Sequence, residues 1–482
     1  MNNKYDVIII GAGIGGLSAG TYLSKAGYRV LIIEKQRHAG GYCSSFKRKG
    51  FVFDSAAHVV GSYNKNCSFW NLIRKLDIDV DFIRMCPTDR IRFKGEETIE
   101  IPVDYKEYVE YLKNMFSKEV SQIDAFFLEL CKMTNPLYAS SVVKKYARLT
   151  YQQYLDSYFS DDRLKSILSA YCGFVGLPPS EASALAVLFT FKMFLIEGAY
   201  YPKGGAQSLA DAFVSRFIKN GGEIIFDNEV NSIMIHEGVA TGIAVRSGEQ
   251  YYADSVISNI DANKSSLIIN DTSKINTRDY LCIKRNKYKV GMSCFIIYLA
   301  TNAHVETAGK NGWYYDSIDI NRTFKDLIYL HIPSNYDNTV TKEGCNVIIM
   351  IIPYMGCPED AKDWNRVKKE LTDQYLRKLN VIFPKLSSNI LEIDAATPDT
   401  LQRYTSNTLG SAYGWRQNPE QMYLNAFPAV TSIKGLYLAG HWTFPGGGVV
   451  SVAISGLNAA RHITRGASGK VMHEMNWKSS RM

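Results

Sequence analysis

Gly11, Gly13 and Gly16 follow directly on an apolar, β-branched run, Val7 to Ile10, giving a G-x-G-x-x-G spacing where a buried strand should turn into a helix. Gly11 permits the tight turn, Gly13 lets the backbone approach a pyrophosphate, and Gly16 lets helix and strand pack closely, with the helix N-terminus facing the phosphates. Glu34 ends a second apolar strand, Arg29 to Ile33, about twenty residues further on, where a carboxylate accepts hydrogen bonds from a ribose hydroxyl. An ordinary glycine-rich turn would not need strand, glycines, helix, strand and acid in this register. The set reads as a dinucleotide site.

The far end of the chain decides which dinucleotide. Pro445 to Gly448 lead into a helix beginning near Val450, and a helix N-terminus carries roughly half a positive charge. A nicotinamide needs no such second support, whereas a flavin ring does. Backbone N–H groups beside its N1–C2=O edge stabilise the anion of the reduced form. No second G-x-G-x-x-G is present for NADPH. The cofactor expected is therefore FAD, with electrons exchanged with oxygen, a quinone or another redox partner, or returned without net redox change. The electron acceptor is not written in the sequence.

Proton-handling residues are few. His58, just after a hairpin around Gly50 that ends near Asp54, is the first candidate for an acid or base beside the ring, against the blander reading of a structural histidine. His441 is the second, and reads more naturally as a cofactor neighbour. Tyr413 and Trp415 in "YGW", and Tyr201 beside Tyr200, are candidates for the substrate wall, although aromatics at such positions are as often packing. The eight histidines show no metal-ligand spacing, and flavin chemistry requires neither a triad nor a metal.

Around these groups lies a chain of 482 residues, enough for two domains with a large core. A net charge of +8 spread along the sequence implies no nucleic-acid partner, and leaves open a basic face toward anionic lipid as a peripheral membrane contact. Nine cysteines without a C-x-x-C pair suggest reduced thiols, and the early first strand leaves no room for a signal peptide, so the expected location is cytoplasmic. The most apolar stretch, Ala182 to Ile196, has fifteen residues and contains Lys192, short of the roughly 20 a spanning helix needs. It reads as a core helix or a channel wall.

Helix-period segments fill residues 66–198 (Phe69 to Leu76, Lys106 to Phe116, Ile123 to Thr134, Arg163 to Tyr171), and the pattern returns to helix, strand, hairpin and strand up to Asp261. Apolar strands at Asn286 to Ala300 and Asn346 to Ile352, then a helix face of Trp364, Val367, Leu371, Leu379 and Ile382, indicate a second sheet domain. The expected organisation is an α/β chain with residues 1–65, 199–262 and 430–482 forming the FAD-binding domain. Residues 66–198, its helical part, and 263–429 form the substrate domain. The last dozen or so residues read as a polar tail.

These segments, "GAGIGGLSAGTYLSKAGYRVLIIEK", "GGYCSSFKRKGFVFDSAAHVVG", "YYPKGGAQSLADAF", "ADSVISNID", "ATPDTLQRYTSNTLGSAYGW" and "GLYLAGHWTFPGGGVVSVAISGLNAA", run almost end to end. In them the chain resembles the flavoprotein superfamily of phytoene desaturases, carotenoid cis-trans isomerases and retinol saturases, distant relatives of the amine oxidases. The resemblance implies a Rossmann-type FAD-binding domain with a discontinuous α+β substrate domain, as in glutathione-reductase-like and amine-oxidase-like flavoproteins. It places Gly11, Gly13, Gly15 and Gly16 at the pyrophosphate, Glu34 at the adenosine ribose with Lys35 beside it, and Gly40 and Gly41 close to the cofactor. Val230 would give backbone contacts on the adenine side, and Gly440, His441, Gly447, Gly448, Val449 and Val450 would support the flavin and ribityl chain.

His441 stands where family members often carry Asp or Glu, which puts that contact in doubt. The implied chemistry is desaturation, saturation or isomerisation of conjugated double bonds in an apolar, carotenoid- or retinoid-like polyene. Two rivals use the same architecture. One is a carrier of prenylated GTPases, which could discard the glycines and the acid that are intact here. The other is an oxidase of an amine, amino acid or carrier-bound intermediate, and Tyr42, where amine oxidases typically have Arg, argues against the amine. A long apolar channel favours the polyene; a short pocket with an aromatic cage or an Arg clamp favours the small substrate.

Overall fold

The computed structural model describes residues 4–270, 288–303, 311–356, 361, 363–384 and 386–467. The expected polar tail and the start of the apolar segment from Asn286 lie outside the described residues.

Strand Lys4–Ile10 pairs in parallel with Val30–Ile33 on one side and Gln250–Ser258 on the other. Glu223–Ile225 adds to the first edge, an antiparallel meander of Val230–His236 and Val239–Val245 to the second, and Leu436–Leu438 lies parallel beside the end of Gln250–Ser258. Side chains alternate across this sheet. Val7, Ile9, Val30 and Ile32 pack beneath the helices Ile14–Lys25, Ala206–Lys219 and Val449–Ala467, whereas Ile8, Ile10, Leu31 and Ile33 meet Ile233, Ile243 and Val256 on the other face. Both faces are covered. That is why these strands read as unbroken apolar runs.

A second seven-stranded sheet runs in the order Ile390–Ala396, Ser293–Thr301, Asn346–Tyr354, Ile328–His331, Gly312–Tyr315, Asp89–Phe93 and Ile99–Ile101. Phe295, Ile297, Leu330 and Met350 face helix Trp364–Ile382, which buries Tyr375 and Leu379 there. Ile296, Tyr298, Trp313 and Tyr329 face a helical layer containing Phe126, Tyr151, Leu185 and Phe191.

Residues 66–198 are thus not wholly helical. Asp89–Phe93 alternates in burial and joins the second sheet through parallel pairing with Gly312–Tyr315, and Phe82–Arg84 pairs with Tyr200–Pro202. The stretch from Ala182 forms a buried helix, Ala184–Phe191, continued by a π-helical turn, Lys192–Ile196. Lys192 is accommodated because its Nζ meets Glu197 Oε1 at 2.5 Å. No helix among the described residues is long and apolar enough to cross a membrane.

The two ends of the chain are joined by helix packing. Ser18 Oγ donates to Ala453 O at 2.8 Å, and a Cβ at Gly456 would collide with the Gly15 carbonyl. Overpacking of a close contact costs about 1–3 kcal/mol. Gly456→Ala should therefore lower stability by about that amount and weaken FAD binding with it, read as a reduced denaturation midpoint and a lower flavin content after purification.

Candidate active site

A cavity of about 1600 Å³ runs between the two sheets, from the glycine turn to the helical layer. At its first end helix Ile14–Lys25 begins at Gly13 with no side-chain cap, so its leading N–H groups are free for a ligand. Gly11, Gly13 and Gly15 line the cavity, with Gly40 and Gly41 alongside them, Gly40 N–H donating to Ala12 O at 2.9 Å. Asn259, at the end of strand Gln250–Ser258, gives its amide N–H to Gly11 O at 3.3 Å and leaves Oδ1 buried without a partner. A Cβ on Gly15 would collide with that oxygen, and one on Gly440 would approach it to 3.0 Å. A cradle that no side chain can fill, bordered by uncapped N–H groups, fits a pyrophosphate. Gly16 takes the packing role that its spacing implied. It is absent from the cavity wall, and a Cβ there would collide with Gly11 O, so its role is the close packing of helix on strand.

Glu34 reaches the cavity at the end of Val30–Ile33. Its Oε2 accepts from Ala12 N–H at 2.7 Å and its Oε1 from Gln36 N–H at 2.8 Å. Burial raises its pKa and these two N–H groups oppose the rise. Lys35 also lines the cavity, with its ammonium donating to Ser406 Oγ at 2.6 Å and Arg403 O at 3.1 Å; burial lowers its pKa. Val230, first residue of its strand, completes this end.

At the middle of the cavity Gly440, His441, Gly447, Gly448, Val449 and Val450 form one wall, the last two opening helix Val449–Ala467. His441 Nε2 and Trp442 Nε1 both meet Asn407 Oδ1, at 3.1 and 2.9 Å. The shared acceptor makes His441 an Nε2–H donor. Burial pulls its pKa down to about 4, leaving a neutral ring whose Nε2 proton is already committed. Tyr413 stands on the same wall, where a Cβ on Gly447 would come within 2.7 Å of its ring.

Two expected substrate residues are elsewhere. Tyr201 is absent from the cavity wall and gives its hydroxyl to Asp54 Oδ2 at 2.8 Å. Trp415 sits in a small core with Trp442, Phe427 and Tyr288, its ring 4.7 Å from that of Trp442. Both are packing residues, because each aromatic face is occupied by the protein itself. His58 does reach the cavity, with Nδ1 2.8 Å from Ala56 O, and burial lowers its pKa to about 4.

The sequence reading missed Asn259, Asn407, Phe174, Trp313 and Tyr329, all on the cavity wall. Asn259 carried a usable signal: it follows an apolar strand that must lie parallel to the first, which places it against Gly11. The three aromatics carried none, being alternate positions of strands and turns whose facing partners are distant in sequence.

A family model described as flavin containing amine oxidoreductase matches residues 14–464. The chain belongs to that family. It is 26% identical to prolycopene isomerase of Daucus carota over 96% of this chain and 80% of the relative. It is also 26% identical to all-trans-retinol 13,14-reductase of Danio rerio, over 90% of this chain and 82% of the relative. The solved structure of an oxidoreductase from Methanosarcina mazei superposes with a TM-score of 0.71 at 21% identity, covering 95% of this chain and all of that one. The fold is the amine-oxidase-like α/β flavoprotein fold, and the protein is an FAD-dependent oxidoreductase.

Glu34→Ala should weaken FAD binding about tenfold to a hundredfold, the worth of about 1–3 kcal/mol for groups left unpaired; flavin titration of the apoprotein measures it, and an unchanged affinity would remove the ribose assignment. His441 should remain neutral on acidification until about pH 4, below the ordinary 6.5, read from its ring-proton NMR titration.

Proposed function

We propose that this flavoprotein transforms conjugated double bonds of an apolar polyene, of the carotenoid or retinoid kind, by hydride exchange with the flavin. The observation supporting this reading is the continuation of the cavity beyond His441 and Tyr413. There its wall is Met292, Ile296, Phe174, Phe194 and Phe189, and then Val143 and Ala139 of helix Pro136–Tyr146. On this stretch Glu197 and Lys192 neutralise each other, and Lys144 adds a second ammonium beside Val143. Among the described residues, no guanidinium or unpaired carboxylate lines this stretch to clamp an amino acid. At about 0.8 kcal/mol per buried CH₂, such a wall rewards a long hydrocarbon. The relatives named for prolycopene isomerisation and retinol reduction point the same way.

In this reading Gly11, Gly13 and Gly15 receive the pyrophosphate, Glu34 the ribose, and the loop from Gly440 to Val450 the flavin and ribityl chain. Bound FAD supplies the hydride acceptor or donor. Tyr413 and the Phe174, Phe194 and Phe189 group orient the hydrocarbon against it and exclude water. His441 holds its wall through Asn407.

The test is anaerobic mixing of the oxidised protein with defined polyenes, followed by the same mixture with prereduced protein. Bleaching of the flavin band with a more conjugated product, or a saturated or geometrically altered polyene from the reduced protein, is expected. Inertness of both forms toward every polyene, with bleaching by an amine or amino acid, would overturn the reading.

A further inference from the structure

The cavity has a second arm, away from the aromatic layer. It follows helix Val449–Ala467 outward from Val449 and Val450, along Ser451, Ile454, Asn458 and Arg461, which recur at i, i+3, i+7 and i+10 and so share one face. Helix Ser68–Lys75 supplies further wall through Asn71 and Lys75, one turn apart on a face of its own. Leu72 and Leu457 also border the arm and are buried in one core, which gives it an apolar floor. From Ser451 to Arg461 the helix rises roughly 15 Å, at 1.5 Å per residue.

The outer end of this arm is cationic. Lys75 and Arg461 are both half-buried on its wall, with His462 and Arg465 beside them. Lys75 Nζ stands 5.5 Å from the centre of the Tyr22 ring, and Tyr22 is also the neighbour of Arg461. Lys25 is close too, but its ammonium is committed to Asp77 at 2.5 Å and to Lys75 O at 2.8 Å. Among the described residues that line the cavity from Ser451 to Arg465 there is no carboxylate, and none offsets the charge of Lys75 or Arg461.

Cations on a surface are ordinarily just solvated. Lys75 and Arg465 also occupy the last turns of their helices, where the dipole favours positive charge. Neither reason covers Arg461, a turn further in and partly withdrawn from water. Burial lowers the pKa of Lys75 and of Arg461, and like charges lower both further, Arg461 and Lys25 acting on the lysine and Arg465 on the arginine. The fold therefore holds repelling, partly desolvated donors on one concave wall, an arrangement that an anion would relieve.

We infer that the outer end of this arm binds an oxyanion, a carboxylate or a phosphate, carried at the end of the hydrocarbon substrate. This rests on the polyene reading above and narrows it: the substrate is an amphiphile with an acidic head. Arg461 offers the head a planar fork and Lys75 a point charge. The chain then runs along Ile454 toward the flavin, and its far end enters the layer of Phe174 and Phe189. An amino acid carries its carboxylate on the carbon that reacts, so a head held a helix length away does not serve as the clamp of a small-substrate oxidase.

The experiment uses FAD-loaded protein, in which the pyrophosphate cradle is filled, and titrates it anaerobically with polyenoic acids of graded length, each against its methyl ester. Perturbation of the flavin band reads the affinity. The expected result is a preference for acid over ester on the order of tenfold, with inorganic phosphate competing against the acid alone. In Lys75→Gln the preference should fall to within twofold, and in Lys75→Arg it should be kept. No preference in wild type, or one that Lys75→Gln leaves intact, overturns the inference while the binding of the esters keeps the polyene reading.

Two further outcomes are decisive. If these cations serve a lipid surface instead, wild type binds phosphatidylglycerol vesicles over phosphatidylcholine ones, Lys75→Gln does not, and acid and ester bind alike; that overturns the inference. If wild type binds neither acid nor ester, the polyene reading falls and inorganic phosphate alone tests the anion site. A rise in the denaturation midpoint that Lys75→Gln abolishes supports the site, and an equal response in both proteins overturns it.

Discussion

Helix Val449–Ala467 lies against helix Ile14–Lys25 so closely that Gly456 faces the Gly15 carbonyl with no room for a methyl group, and the rest of the site depends on that approach. The bond from Ser18 to Ala453 spans 435 positions of sequence. Two helix N-termini, one opening at Ile14 and one at Val449, are thereby brought to one cavity. Each carries unpaired N–H groups that require an anion or a dipole. A dinucleotide long enough to reach both answers that requirement. Glycine recurs at these contacts because backbone lies against backbone where Gly456 and Gly440 approach Gly15, while the Asn259 side chain fills the space a Cβ on Gly15 or Gly440 would need.

Burial then governs the chemistry of the side chains around the cofactor. His441 and His58 are both pushed to about 4 by the loss of water, with little help from neighbouring charge. Their fates diverge through hydrogen bonding. The His441 Nε2 proton is committed to an amide oxygen that also serves Trp442, whereas the His58 Nε2 is bonded to nothing. Equal burial thus leaves one ring with its Nε2 proton committed and the other with an Nε2 that meets no partner. Residue type alone could not separate them.

The legible part of the molecule was the part whose geometry is local. The glycine turn, the strand ending in Glu34, the hairpin about Gly50 and the glycine loop before Val449 each declare their conformation within a few residues, and each is where it was expected. Strand Asp89–Phe93 was not legible, because five residues with two arginines and an aspartate look like a loop until Gly312–Tyr315 is known to lie beside them. Tyr201 and Trp415 failed for a related reason. An aromatic suited to a substrate wall is equally suited to a core, and the choice is made by Asp54 in one case and Trp442 in the other, neither of them near in sequence.

The nucleotide half of the site is built from the glycine turn, the strand ending before Glu34 and the loop from Gly440 to Val450. The apolar half is built from Phe174, Phe189, Met292 and Trp313, drawn from the helical layer and the second sheet. A change in these side chains alters cavity length and polarity without touching a single contact to the glycine turn. The cofactor contacts can therefore stay fixed while the substrate wall changes, and relatives at 26% identity are informative about the first far more than about the second. His58 lies on the seam between the two halves, beside the Tyr329 and His331 rings of the second sheet, so the nucleotide turn and the apolar wall share one buried boundary.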